Sequence, residues 1–179
     1  MVTPMLETER LSVRPFVDED FDALVALREP WEVRQYLGGA RNTVEFTRKR
    51  LDYYLSHHRK YGYAMGAVSL GDSPAMIGWG GLQHFNDGDE IEVGYAFAQE
   101  YWGRGLATEL ASAWLRFGFS RLGLDRIIAV ADVANAGSRR VMEKIGMRHE
   151  KDLEHYGHAC VYYGVSREEF LGRASSTIE

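Results

Sequence analysis

The chain has 179 residues, 45% of them hydrophobic and 26% charged, and its formal net charge is −5. This length and composition fit one globular domain that buries its own core without a disulfide or a metal. The acidic balance argues against nucleic acid as the main partner, because duplex binding relies on Lys and Arg side chains that neutralise phosphates. The single cysteine, Cys160, excludes an intrachain disulfide and indicates a reducing compartment.

No stretch is apolar enough to span a bilayer, and the N-terminal residues lack the basic start and apolar core of a signal peptide. The sequence therefore predicts a cytoplasmic protein with no membrane partner. It contains no internal repeat and no linker, so residues 1–179 are expected to form a single domain, with a frayed tail from about residue 172. The expected assembly is a monomer or a homodimer.

The first half of the chain predicts a strand at residues 11–16, two helices and a run of three strands. The second helix is expected to open at Asn42, with Glu45 three residues later as its capping-box partner. The three strands are predicted at residues 63–70, 75–83 and Ile91–Phe97. Turn residues separate them, and this pattern is typical of an antiparallel meander.

The second half alternates helices and strands. Apolar residues recurring at helical spacing predict an amphipathic helix over residues 107–122, and an apolar run at residues 126–131 predicts a buried strand. Asn135 is expected to cap the next helix, and Gly146 to end it in a left-handed conformation. A last strand is expected at residues 160–165, which gives the order β-α-α-β-β-β-α-β-α-β.

The sharpest motif is the glycine turn Gly103-Arg104-Gly105, which lies between a predicted strand and a predicted helix. Glycines at a helix N-terminus let the backbone approach an anion. The free N–H groups of the first helical turn and the positive end of the helix dipole then bind phosphate. For so short a motif, a tight turn without a ligand is the alternative interpretation.

The stretch 101–108, Tyr-Trp-Gly-Arg-Gly-Leu-Ala-Thr, resembles the pyrophosphate-binding turn of the GNAT N-acetyltransferase superfamily, written Q/R-x-x-G-x-G/A. Trp102 replaces the usual Gln or Arg, as it does in the branch that acetylates ribosomal proteins. The resemblance continues through residues 8–11, 77–82, 135–138 and 143–146, in the family's order. It implies an α/β fold of the α+β type, with a mixed, largely antiparallel central sheet, helices on both faces and a splayed parallel strand pair.

The resemblance also implies acetyl-coenzyme A as co-substrate and no metal. Backbone N–H groups of the turn would hold the pyrophosphate, with Arg104 adding charge, and the end of the strand Ile91–Phe97 would pair with pantetheine like an added strand. Asn135 matches a position that contacts the pantetheine arm, although a plain helix cap explains it equally. The full predicted cofactor set is Tyr95, Ala96, Phe97, Gly103, Arg104, Gly105, Leu106, Ala107, Thr108, Asn135 and Ser138.

Acetyl transfer to an amine needs a group that removes a proton from nitrogen. Strand alternation places Glu92 on the same face as Gly94 and Ala96, beside the expected cofactor, and Glu92 resembles the family's general base. A solvated strand face is the alternative interpretation of Glu92. Glu90 lies nearer the loop and is the weaker candidate.

The departing thiolate needs a proton donor, and here the sequence departs from the common family pattern. Many members have a tyrosine at the position of Met142, which has no proton to give. The ribosomal-protein branch has a serine matching Ser138, which is proposed to protonate the sulfur, so the resemblance assigns Ser138 that catalytic role. A helix position that merely bonds the cap is the alternative for Ser138, and Tyr101 and Tyr162 remain other possible donors.

Two further groups of side chains could take part in a site. His155, His158 and Cys160 suggest zinc, but three potential ligands near one strand with no second ligand pair make a poor tetrahedral site, so no metal is predicted. Four tyrosines near the end of the second helix could line the acceptor site or serve only in packing: Tyr53, Tyr54, Tyr61 and Tyr63.

The expected function is acetyl transfer from acetyl-coenzyme A to a primary amine, with a protein or peptide N-terminus as acceptor. The alternatives are a small-molecule acetyltransferase acting on antibiotics or polyamines, and a non-catalytic acyl-coenzyme A-binding module. A nucleotide-linked oxidoreductase is disfavoured because Thr108 stands where a third glycine is needed. Too few residues follow Asp132 to complete a doubly wound sheet.

Overall fold

The structure, a computed structural model, describes residues 3–155 and 157–175. Its strands are β1 (Leu6–Glu7), β2 (Leu11–Pro15), β3 (Met65–Leu70), β4 (Gly78–His84), β5 (Ile91–Phe97), β6 (Arg126–Asp132), β7 (Arg148–His155) and β8 (His158–Ser166). Its α-helices are α1 (Phe21–Arg28), α2 (Trp31–Arg34), α3 (Val44–Tyr61), α4 (Leu106–Ser120), α5 (Ala136–Lys144) and α6 (Arg167–Ser175). In these described ranges, no helix is both long and apolar enough to cross a membrane.

The strands form an eight-stranded sheet in the order β1-β2-β3-β4-β5-β6-β8-β7. Strands β3, β4 and β5 pair antiparallel in sequence order, as the predicted meander requires. The pair β5–β6 is parallel and is joined at one register position, Glu92 opposite Ile128, whereas β6 and β8 pair along their whole length. The predicted mixed, largely antiparallel sheet with a splayed parallel pair is therefore confirmed.

Apolar side chains cover both faces of the sheet. Trp114 and Leu110 of α4 and Met142 of α5 pack on one face, together with Val93 and Phe97 of β5. The opposite face is covered by α1, α2 and α3 through Leu24, Val33, Leu51 and Tyr54. Helices therefore lie on both faces, as expected, and the alternation along β5 divides its side chains between two cores.

Close packing explains the glycine-rich sequence of β4. A Cβ atom at Gly81 would collide with the carbonyl oxygen of Ala64, and one at Gly80 would lie 2.7 Å from Cδ2 of Leu110. The absence of side chains at these positions lets β4 approach β3 and α4 closely, and this holds the neighbouring β5 against α4.

The start of α3 differs from the prediction. Thr43, not Asn42, caps the helix, since its hydroxyl accepts the N–H of Phe46 at 3.1 Å. Asn42 is buried, and its side-chain amide donates to the carbonyl oxygen of Arg28 at 3.1 Å. Glu45 pairs with Lys49 instead of closing a capping box. Both Asn and Thr are good caps, and the tertiary contact with Arg28 decides between them.

Four elements were not predicted, one of which is the four-residue helix α2. Strand β7 is an edge strand whose charged, mostly exposed side chains show no alternation, and β1 is only two residues long. Helix α6 carries a signal that sequence reasoning missed: Ser166 and Glu169 form a reciprocal capping pair, with N···O distances of 3.0 Å and 3.2 Å. Helix α6 extends to Ser175, and the rest of the expected frayed tail lies outside the described residues.

Candidate active site

The glycine turn follows β5 and leads directly into α4. Gly103 and Gly105 both have left-handed backbones, with φ of +72° and +76°, which glycine adopts without strain. Gly105 is the N-cap residue of α4, and no side chain caps the helix. The N–H groups of the first turn have no intrahelical acceptor, so they are available to an anion together with the helix dipole.

Side chains beside the turn hold its shape. Trp102 donates its indole N–H to the carbonyl oxygen of Phe97 at 2.8 Å, which ties the turn to the end of β5. The guanidinium of Arg104 lies 5.2 Å from the ring centre of Tyr101. Arg10 donates to the carbonyl oxygen of Arg104 at 3.0 Å and forms an ion pair with Glu109 of α4 at 2.6 Å. The turn is therefore fixed before any ligand binds.

The splay between β5 and β6 opens a cavity of about 360 Å³, named here the cofactor cleft. Seven of the predicted cofactor residues line it: Tyr95, Ala96, Phe97, Gly103, Ala107, Asn135 and Ser138. Arg104, Gly105, Leu106 and Thr108 belong to the turn and helix start at its end, and Leu106 is buried in the core. A Cβ at Gly103 would meet no atom within 4 Å, so the turn faces open space.

The first turn of α5 forms the opposite wall of the cofactor cleft. The Asn135 side-chain oxygen accepts the N–H of Ser138 at 3.0 Å, as expected of a helix cap. The Ser138 hydroxyl lies 3.0 Å from the hydroxyl of Tyr95, whose pKa burial raises to about 12. Met142 is fully buried and offers no polar atom here.

A second cavity of about 620 Å³, named here the acceptor cavity, lies on the α3 side of the sheet. It shares five wall residues with the cofactor cleft: Tyr36, Leu37, Val130, Ala131 and Asp132. The remaining walls come from α1, α3, β5, β7 and β8, from Gly38, from the end of β4 and from the turn after β4. The two cavities therefore meet at the end of β6.

Glu92 lines the acceptor cavity and is held by a chain of polar groups. Gln83 donates to its carboxylate at 3.0 Å, and Arg50 donates to Gln83 at 2.8 Å. Burial raises the pKa of Glu92, and this effect exceeds the opposite influence of Gln83, Arg50 and the N–H of Val130. A carboxylate with a raised pKa is a stronger base than an exposed one.

Glu90 has a different environment. It accepts a hydrogen bond from the hydroxyl of Tyr162, and it lines a separate cavity near the opposite ends of β5 and β6. Only Glu92 of the two carboxylates lies on the wall of the acceptor cavity.

The three residues considered as zinc ligands, His155, His158 and Cys160, also line the acceptor cavity. Nδ1 of His158 lies 3.3 Å from a carboxylate oxygen of Asp132, and burial raises the pKa of the Cys160 thiol. Within residues 3–155 and 157–175, no group of three or more His, Cys, Asp or Glu side chains is arranged to hold a metal ion.

Of the four tyrosines near the end of α3, Tyr53 and Tyr54 line the acceptor cavity. The guanidinium of Arg50 lies 4.9 Å from each of these two ring centres. Tyr61 and Tyr63 pack around His57 instead. Sequence reasoning missed Arg50, Gln83 and Asp132 as site residues, because no local motif marks them and only the fold brings them to the same cavity as Glu92.

His57 and His84 form a pair next to this cavity, which His84 lines. Nε2 of His57 accepts the backbone N–H of His84 at 3.1 Å and lies 2.9 Å from Nδ1 of His84. The remaining nitrogen, Nδ1 of His57, therefore carries the proton and donates to the carbonyl oxygen of Tyr63 at 2.8 Å. Burial lowers the pKa of both imidazoles, which favours their neutral forms.

Comparison with known proteins establishes the family. Residues 10–148 match the Acetyltransferase (GNAT) domain. The chain is 32% identical over 156 residues to the uncharacterized N-acetyltransferase YoaA of Bacillus subtilis (strain 168), covering 86% of this chain and 88% of that protein. It is 31% identical over 117 residues to YdaF of the same strain, provisionally named a ribosomal N-acetyltransferase, covering 62% and 63% of the two chains.

Among solved structures, a GNAT-family acetyltransferase from Bacillus anthracis is 29% identical and superposes with a TM-score of 0.77, covering 92% of this chain and 99% of that one. The chain therefore belongs to the GNAT acetyltransferase family. Enzymes of this family use acetyl-coenzyme A, and membership identifies the chain as an N-acetyltransferase.

Proposed function

We propose that the protein transfers an acetyl group from acetyl-coenzyme A to the N-terminal α-amine of a peptide or protein. The observation that carries this proposal is the meeting of two cavities at Val130, Ala131 and Asp132. One cavity ends at a phosphate-binding type of helix start, and the other contains a buried carboxylate. An amine entering from the acceptor cavity meets the thioester end of the cofactor cleft at this junction.

Acetyl-coenzyme A supplies the activated acetyl thioester. The backbone N–H groups from Gly103 to Thr108 would hold its pyrophosphate, with Arg104 adding positive charge. The strand end from Tyr95 to Phe97 would bind the pantetheine arm, with Asn135 on the facing helix. The left-handed glycines, the uncapped start of α4 and the open space at Gly103 support this fit.

Glu92 would accept the proton of the attacking amine, directly or through one water. An α-amine has a pKa of ~8 and a lysine amine one of ~10, so at neutral pH more of the α-amine is already neutral. The raised pKa of Glu92 brings the base closer to the amine that it must deprotonate. The positive charge of Arg50 lowers the pKa of Glu92 and thereby favours its ionised form, against the effect of burial.

The charges of the acceptor cavity favour a peptide over a polyamine or an aminoglycoside. Its wall carries the positive charges of Arg28, Lys49 and Arg50 together with the acidic side chains of Asp87, Glu92 and Asp132. A polycation would bring positive charges against Lys49 and Arg50, whereas a peptide N-terminus carries one amine on an otherwise neutral or acidic chain. Aromatic walls at Tyr53 and Tyr54 suit peptide side chains.

The test is a competition assay with acetyl-coenzyme A, read by mass spectrometry. Peptides with free Ser or Ala N-termini compete with polyamines and aminoglycosides, and the same peptides with blocked N-termini and one internal lysine serve as matched controls. We expect acetylation of the free α-amine only. If every peptide is inert while one small amine turns over with kcat/KM above ~10⁴ M⁻¹s⁻¹, the acceptor is a small molecule. If no amine releases free thiol, the chain is a binding module.

We further propose that the protein acts in the cytoplasm as one domain over residues 1–179, without nucleic acid or membrane partners, as a monomer or a homodimer. Light scattering on the purified protein distinguishes these two assemblies. A larger assembly, or nucleic acid retained through a high-salt wash, would contradict this proposal.

A further inference from the structure

Two hydroxyl groups face each other across the cofactor cleft. The hydroxyl oxygen of Tyr95, on β5, lies 3.0 Å from Oγ of Ser138 and 3.3 Å from the Ser138 carbonyl oxygen, on α5. Both residues line the cleft. Their separation of 43 positions in sequence makes this a contact that only the fold creates.

The pair lies close to the position at which this chain lacks the proton donor of the common family pattern. Met142 is one helical turn after Ser138 on α5 and is buried with no proton to give. The other tyrosines considered as donors are engaged elsewhere. The ring of Tyr101 lies under Arg104, and Tyr162 donates to Glu90. Tyr95 therefore brings a phenol hydroxyl to this helix face from a different element.

Hydrogen-bond geometry allows the pair two arrangements. Where Ser138 donates to Tyr95, the Tyr95 hydrogen is left for the Ser138 carbonyl oxygen, and both hydrogens stay within the pair. Where Tyr95 donates to Oγ of Ser138, the Ser138 hydrogen is released for a third atom. An electron-rich atom in the cleft selects the second arrangement, because only that arrangement offers it a hydrogen.

We propose that Tyr95 is a positioning residue that donates to Ser138, so that the Ser138 hydroxyl donates a hydrogen bond to the departing sulfur. This inference rests on the proposed acetyl transfer. In that reaction the amine nitrogen bonds to the acetyl carbon, and the C–S bond breaks with its electron pair passing to sulfur. One proton leaves nitrogen and one reaches sulfur, so no further reactant is needed.

The acidities of the groups define what the pair does. A thiol has a pKa of ~8.5, and burial raises the pKa of Tyr95 to about 12, so Tyr95 does not surrender its proton to a thiolate. The pair instead stabilises the negative charge on sulfur by hydrogen bonding, and the proton that neutralises the sulfur derives from the amine. Asn135 fixes the position of Ser138 through its bond to the Ser138 N–H.

The test measures the thiol pKa of coenzyme A bound to the protein, from the ultraviolet absorbance of the thiolate. We expect Ser138→Ala to raise the bound thiol pKa by about one unit, and Tyr95→Phe to raise it in the same direction, because the Ser138 hydroxyl then loses the bond that orients it. The double variant should raise it no further, because both substitutions break one chain of hydrogen bonds. Each single variant should lower kcat about tenfold and leave the acceptor KM unchanged.

Tyr163→Phe is the matched control, since it removes a tyrosine hydroxyl that bonds Glu143 outside the cleft, and it should leave the thiol pKa unchanged. The inference is overturned if Tyr95→Phe keeps the wild-type thiol pKa or if the two single effects add. Should Tyr95→Phe fail to fold, Ser138→Ala alone decides, and an unchanged thiol pKa in that variant overturns the inference. Acetyl transfer by the wild-type protein is scored separately, so loss of the proposed function is distinguishable from loss of this contact.

Discussion

The cofactor cleft and the acceptor cavity are built in different ways. Three short segments of the cleft face the expected ligand, namely the end of β5, the glycine turn before α4 and the first turn of α5, and much of their chemistry is backbone N–H groups. The acceptor cavity is formed by side chains from α1, α3, β4, β5, β6 and β8. The first region presents a fixed shape to one ligand. The second combines charges and rings that single substitutions can change.

This difference separates a site built on backbone conformation from a site built on side chains within a single molecule. A backbone site depends on conformations such as the left-handed Gly103 and Gly105, so few substitutions preserve it. The acceptor cavity depends on the side chains of Arg50, Gln83 and Glu92, which are joined by hydrogen bonds of 2.8 Å and 3.0 Å. Substitutions in the two regions should therefore have separable effects, on coenzyme A binding in one and on turnover and acceptor choice in the other.

The largest effect is expected from Glu92→Gln. The substitution keeps the size of the side chain but removes the base, so kcat/KM should fall roughly 10²–10⁴-fold near neutral pH while coenzyme A binding is retained. The loss should shrink in alkali, as free amine accumulates. A pH–rate profile measures this, and an equal loss at every pH would assign Glu92 to acceptor binding or to structure.

Gly105→Val should have the next largest effect, on the other region. The branched side chain disfavours a φ of +76° and crowds the anion site, so coenzyme A affinity should fall at least ~10-fold. Gly62→Val is the matched control, because Gly62 has a φ of +77° with open space around it and lies outside the cleft. Calorimetry should show normal coenzyme A affinity for Gly62→Val. If both variants lost affinity equally, backbone strain alone would explain the loss, and the anion site would not be supported.

A smaller effect is expected from substitution of Arg50, which should change only the pH dependence of kcat/KM. Arg50 lowers the pKa of Glu92, so Arg50→Met should raise that pKa and leave less carboxylate ionised at a given pH. The acidic limb of the kcat/KM profile should therefore shift to higher pH. Arg50→Lys retains the positive charge, so its kcat/KM profile should stay close to that of the wild-type protein. A shift to lower pH in Arg50→Met would contradict the electrostatic role of this side chain.

The smallest effect concerns stability and is confined to the acceptor side. Burial lowers the pKa of His57 and His84 below the unfolded value of ~6.5, so the unfolded chain binds protons that the folded chain does not. The free energy of unfolding should decline as pH falls through ~6.5 and level off below the folded pKa values. Urea titrations between pH 5 and pH 8 measure this slope, which His57→Gln should reduce. An unchanged slope in that variant would mean that His57 is not a source of the acid sensitivity.

The same contrast explains how much could be predicted from the sequence. Local signals identified strand β5, the glycine turn and the Asn135 cap, because each depends on neighbours within a few residues. The contacts of Glu92 with Gln83 and Arg50 depend on strand register and helix packing. Nothing in the local sequence fixes these, and their assignment needed the structure.

Two other misses have similar causes. Asn42 and Thr43 are equivalent caps in sequence, and the buried contact between Asn42 and Arg28 decides which one caps α3. Strand β7 is charged and mostly exposed, so its sequence lacks the alternation of apolar and polar residues that predicts a strand. Only its backbone pairing with β8 identifies it as a strand. Asn42 and Arg28 are 14 residues apart, and β7 depends on pairing with the strand that follows it, so neither feature can be predicted from its own segment alone.

The most direct measurement is a crystal structure with a bisubstrate analogue, in which coenzyme A sulfur is joined through an acetyl bridge to the α-amine of a short peptide. The account predicts pantetheine between Tyr95–Phe97 and the end of β6, with the peptide in the acceptor cavity and its former amine nitrogen within hydrogen-bond or one-water reach of Glu92. A peptide that leaves the junction at Val130–Asp132 by another route, with Glu92 distant from the nitrogen, would contradict it.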